Sequence, residues 1–196
     1  GSWSLKPVAG SLGVGPNAND FSWWSIDAAT VETRACLYDD KYIFNPDGSY
    51  KNEMGSQTWL ETFQSGVSAE GCGTPVAPHN GSNAATWTVD ETAKTITIKG
   101  DGAFLGLAKV HNTGEDGNPA NDEIVYPYEL SSDGKEMTVK INYSASGTNT
   151  WKFVFVRKSE SAAPGFFENT TWTLAPVAGS LGVGPNANDF SWWSID

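Results

Sequence analysis

Trp23 and Trp24 stand side by side, with Asn17, Asn19 and Asp20 just upstream. Flat indole rings stack on the C–H faces of pyranose rings, while amides and carboxylates bond the hydroxyls. Neighbouring residues of an extended segment face opposite ways, so one of the two indoles can pack inward and the other face solvent. A second candidate lies at Thr58–Gln64, where alternation puts Trp59, Glu61 and Phe63 on one strand face, with Gln64 at its end. A glutamate on that face suits a concave binding surface better than a core. The chemistry expected is binding: Trp23 or Trp24 and Trp59 as stacking platform, with Asp20, Glu61 and Gln64 bonding hydroxyls. The competing reading has both indoles of the Trp-Trp pair buried as a plug, since tryptophan is highly buried on average.

Catalytic chemistry has less support. His79 and His111 sit in polar segments with no nucleophile signature beside them. The tight Glu-x-Asp-x-x-Glu run of secreted retaining β-glucanases does not occur, so no enzyme activity is expected. The acidic loop Asn112–Asp122 offers oxygen ligands in Asp116 and Asp122, continued by Glu123, which calcium could use. Their spacing does not match an EF-hand loop, and a solvated acidic loop is the competing reading. No other cofactor is expected.

Composition narrows the partners. A formal net charge of −11 disfavours a nucleic-acid backbone, which needs clustered Lys and Arg, and suits a neutral ligand. No apolar run approaches membrane-spanning length. The only cysteines, Cys36 and Cys72, occupy loop-like segments. Such a pair reads as a disulfide of an exported protein, the alternative being two unpaired buried thiols.

The elements that must hold these residues are short strands. Lys41–Asn45 and Ser49–Glu53 form a hairpin around Asp47-Gly48, and Ala85–Val89 pairs with Thr95–Lys99. Three further strands follow at 123–130, 136–143 and 150–157, the first two joined by Asp133-Gly134. Pro127 marks an edge or a bulge. Asp27 can cap one short connector helix over residues 27–35. About eight to ten antiparallel strands without a long helix make an all-β barrel or sandwich. Alternation assigns Ala85, Trp87 and Val89, then Met137, Val139, Ile141 and Tyr143, then Trp151, Phe153 and Phe155 to the core, with Trp3.

One segment occurs twice. Residues 7–27 and 176–196 are identical over 21 residues, at an offset of 169. The expected organisation is a single module over 1–158, a linker over 159–170, and over 171–196 the truncated start of a second tandem repeat copying 3–27. Only one copy can fill the position beside the last strand. The other is expected to dock on a neighbour, pair with a second molecule in a domain swap, or lie over the surface.

The opening Trp-x-Leu, then Cys36-x-x-Asp39-Asp40-x-Tyr42-x-Phe44-x-x-Asp47-Gly48-Ser49, a second cysteine and the closing Trp151–Arg157 strand together resemble the lipocalin-like small β-domains of exported bacterial proteins. The likeness covers most of residues 3–158. AGSLGVGP with SWW, RAC with DD, TWLETFQ and GLAKV are similar to a repeat module of secreted multimodular proteins and glucanases of marine polysaccharide-degrading bacteria. The resemblance implies an extracellular or cell-surface carbohydrate-binding module, with laminarin-type β-1,3-glucan as its target. Two alternatives stand beside it: an adhesin or spacer repeat with no sugar ligand, and a lipocalin-like carrier of a small apolar molecule. The carrier would need an interior cavity, against which the aromatic content argues.

Overall fold

In a computed structural model describing residues 1–115, 123–144 and 148–158, the alternating segments become antiparallel strands. The backbone of residues 182–183 and 193–194 is also described. The chain divides into two compact units, Gly1–Glu160 and Ser161–Asp196.

The first unit starts with β1 (Ser2–Leu5), then β2 (Leu12–Gly15) and the two-residue β3 (Trp24–Ser25). Helix α1 (Ala28–Thr33) follows, capped by Asp27, whose carboxylate accepts from the Thr30 N–H at 2.7 Å. Next come β4 (Lys41–Phe44) and β5 (Ser49–Glu53), turned by Asp47-Gly48 with Gly48 at φ +84. A small side ladder pairs β6 (Thr58–Leu60) with β7 (Gly71–Gly73). The second hairpin joins β8 (Ala85–Asp90) to β9 (Thr95–Lys99). Another small ladder joins β10 (Val110–His111) to β11 (Gly114–Glu115). The long strands β12 (Glu123–Leu130), β13 (Glu136–Asn142) and β14 (Thr150–Lys158) complete the unit.

Eight of these close a barrel in the order β1-β4-β5-β8-β9-β12-β13-β14, sealed by β1 against β14. The sheet therefore closes on itself and leaves no open sandwich edge. Strand β14 is long enough to take two partners along one edge. Ser2–Leu5 pairs with its second half, and Leu12–Gly15 with its first. The Lys6 N–H on the Val154 carbonyl, and the Val154 N–H on the Ser11 carbonyl, bridge the interruption between them.

Period-two alternation places the core. Met137, Val139 and Ile141 are buried, as are Trp151, Phe153 and Phe155. Each such side chain contributes about 1.5–3 kcal/mol when fully buried. Trp3 and Trp87 are only half-buried, and Val89 is 42 % exposed. They border an apolar cleft of about 310 Å³ with Phe44, Tyr128 and Met137 at the barrel end marked by Arg157, where the strands run out.

A stretch of main chain shares the barrel interior with these side chains. Phe104, Leu105 and Leu107 are buried within a strandless segment between β9 and β10. Buried irregular backbone needs hydrogen-bond partners, and inward-facing side chains supply them. Tyr50 donates to the Phe104 carbonyl at 2.5 Å, and Tyr42 to the Gly106 carbonyl at 3.0 Å. The Asn52 amide bonds both the Phe104 carbonyl and the Phe104 N–H, while the Leu105 N–H donates to Tyr126 at 3.0 Å. Gly106 lies at φ +83, where an added Cβ would sit 2.7 Å from the Phe153 ring. Only glycine lets the plug pass there.

In the second unit, β15 (Gly182–Val183) pairs with β16 (Trp193–Ser194). The linker expected at 159–170 lies outside the described residues.

Candidate functional site

The duplicated segment folds over the barrel end where β14 begins. β2 and β3 form a ladder, Gly13 opposite Ser25 and Val14 opposite Trp24. The connecting loop returns tightly on Gly15, whose missing Cβ would lie 1.9 Å from the Asp20 carbonyl oxygen. Asp20 is exposed and accepts from the Ser22 N–H at 2.9 Å, which together with the Ser22 hydroxyl holds its carboxyl below the usual range. The Trp pair divides, with Trp23 at a bend just before β3 and Trp24 within it. Trp23 is 54 % exposed, and Trp24 is half-buried with its ring 6.0 Å from that of Trp151.

Trp24 belongs to a larger cluster of rings and charges. Arg34, at the C-terminal end of α1, lays its guanidinium 4.2 Å from the Trp59 ring centroid and 5.6 Å from that of Trp24. Glu70 pairs with it at 3.8 Å. Lys109 lies 5.4 Å over the Trp151 ring and reaches Glu61 at 3.4 Å and Glu115 at 3.5 Å. The Trp151 indole N–H donates to Glu115 at 2.9 Å. Two cations are thus held among three carboxylates and three indoles.

A disulfide fixes this arrangement. Cys36 and Cys72 are bonded, with Cα atoms 5.9 Å apart. Cys72 is the cross-strand partner of Trp59, and Cys36 lies two residues beyond Arg34. The bond therefore fastens the segment carrying Arg34 to the ladder carrying Trp59.

Glu61 and Gln64 occupy different places from those that alternation suggests. The strand ends at Leu60, and the chain turns with the Gln64 N–H on the Glu61 carbonyl. The Gln64 side chain then accepts from the Glu61 N–H at 2.9 Å. Glu61 is 6 % exposed and Gln64 7 %, so neither presents its polar atoms to a surface ligand. Burial pushes the Glu61 carboxyl up, while Lys109 pulls it back. Phe63 does not share the Trp59 face but packs edge-on against buried His79 at 5.6 Å. Beneath Trp59 and Glu61, a cavity of about 10 Å³ also touches Gln64 and His79, room for about one water.

Asp40 lies deeper still, 2 % exposed, accepting from the Thr58 hydroxyl at 2.6 Å. Burial pushes its carboxyl up to about 7. Of the candidate calcium ligands, Asp116 and Asp122 lie outside the described residues. Glu123 is exposed at the start of β12, 3.9 Å from Lys99. Among the described residues, no group of three or more acidic, His or Cys side chains is arranged to hold a metal. No helix among them is long and apolar enough to cross a membrane.

Arg34, Lys109 and Glu115 were not singled out by pattern, and Trp151 only as core. Their meeting depends on loop packing that alternation does not encode. The sole local signal was Arg34 standing two residues before Cys36. The chain matches no protein-family model and no curated protein.

Proposed function

We propose that the barrel is a non-catalytic binding module for a neutral polysaccharide, a β-1,3-glucan of laminarin type, within an exported protein. The observation that carries this reading is Trp23, a 54 % exposed indole whose neighbour Trp24 shares the Arg34 guanidinium with Trp59. Exposed indole supplies the stacking face, and Asp20, on the same loop, supplies a solvent-facing carboxylate. Glu61 and Gln64 act from beneath as positioning residues. Arg34 and Lys109 are each paired with carboxylates, which together with the net charge of −11 favours a neutral ligand over an acidic sugar. The disulfide supports an oxidising compartment. Binding by a single shallow platform is weak, and repetition of the module would raise it through avidity.

Affinity electrophoresis in laminarin tests the assignment. Retarded migration of the wild type is expected, with Trp23→Ala abolishing retardation while leaving the melting temperature unchanged. Unretarded migration of the wild type in laminarin and other algal glucans rejects the reading. A spacer repeat without ligand is the second reading, favoured by the packing of Trp24 and Trp59 against the core. It requires that Trp24→Ala and Trp59→Ala lower stability and that Trp23→Ala change nothing.

A further inference from the structure

The barrel has one seat for residues 2–27, and the chain carries two copies of that segment. The seat is the edge of β14, which pairs with β1 from Ser2 opposite Lys158 to Leu5 opposite Phe155. It pairs with β2 from Leu12 opposite Phe153 to Gly15 opposite Thr150. Three side chains anchor the segment in the core: Leu5 and Leu12 at 0 % exposure and Ile26 at 2 %. Their counterparts in the second copy are Leu174, Leu181 and Ile195, the same residue at each position.

Two observations show that the second copy is fit for that seat. Its ladder repeats the first in register: Gly182 opposite Ser194 and Val183 opposite Trp193, as Gly13 opposite Ser25 and Val14 opposite Trp24. Within 2–27 only three positions differ, Ser2, Ser4 and Lys6 becoming Thr171, Thr173 and Ala175. Threonine favours strand over serine, though Thr173 brings an extra methyl to the fully buried position of Ser4. Ala175 forgoes only the partly exposed Lys6–Glu136 ion pair, which is worth little.

The connection is also short enough. Ser2 and Lys158 are direct cross-strand partners, so the end of β14 lies about 5 Å from the start of the seat. A strand beginning at Thr171 would enter that seat antiparallel to β14, and residues 159–170 are more than long enough to span the gap.

We propose that residues 171–196 are an alternative closing segment for the same barrel, able to displace residues 2–27 of their own chain. The exchange breaks and re-forms the same ladder hydrogen bonds and buries the same three anchors. It does not depend on any ligand. Occupancy by the second copy replaces Trp23-Trp24 with Trp192-Trp193.

Paired anchor substitutions in the full chain test this, read by cooperative thermal unfolding and by light scattering. Leu5→Asp with Leu12→Asp disables the first copy; Leu174→Asp with Leu181→Asp disables the second. Each double variant is expected to keep a cooperative transition as a monomer, and the quadruple variant to lose it. The proposal is overturned if either double variant loses its transition as the quadruple does. It is equally overturned if the first double variant folds only as a dimer, which would move the exchange to a second molecule. Survival of the quadruple variant would show that the seat needs no segment, and overturns it too.

Discussion

Asp40 is a carboxyl enclosed by the fold, with the Thr58 hydroxyl as its hydrogen-bond donor. Its folded value near 7 stands above the ordinary 3.8, so between those values the folded state holds a proton that the unfolded state has lost. Stability from this group is therefore full below about pH 4, declines as pH rises towards 7, and is level above it. At about 1.4 kcal/mol per unit, the whole effect is at most about 4 kcal/mol. Glu61, also raised by burial, adds a component of the same sign. His79, lowered by burial, acts oppositely as pH falls. The difference between wild type and Asp40→Asn isolates the aspartate. Urea unfolding from pH 4 to 8 is expected to show the wild type losing stability relative to the variant, and parallel profiles would exclude this role.

At the level of elements, the plug between β9 and β10 depends on side chains from the barrel wall. Asn52 alone bonds both main-chain polar groups of Phe104. Asn52→Ala leaves a buried N–H without that partner, at a cost of about 3 kcal/mol. A lower urea midpoint with an unchanged slope is expected; a lower slope would mean that the plug leaves the barrel altogether. The hairpins at 41–53, 85–99 and 123–158 were readable because alternation and Asp-Gly turns are local. The Asp27 cap was readable for the same reason. The plug was not, because Ala103–Leu107 has no periodicity and its partners Tyr42, Tyr50 and Tyr126 lie far away in sequence. Glu61 was misplaced because a turn at Leu60 interrupts an otherwise convincing alternation. The Trp23/Trp24 division comes from a bend at Trp23, which spacing does not reveal, and the Arg34, Lys109 and Glu115 contacts follow from loops whose approach no spacing announces.

For the whole molecule, the Cys36–Cys72 bond closes a loop of 36 residues' separation. In the chain-entropy description, such a crosslink is worth about 4 kcal/mol. Reduction should lower the melting temperature, loosen Arg34 from Trp59 and weaken retention in laminarin. A reduced protein with unchanged retention would show that the site holds its shape without the bond.

Ser2 and Lys158 face each other across one ladder, so the entry and exit of the barrel are adjacent. A load applied through those two points would pull neighbouring antiparallel strands apart from the same end. The hydrogen bonds would then carry it one after another, as in a zip, instead of sharing it in shear. Under tension such a barrel yields at low force, beginning with β1 and exposing the edge of β14.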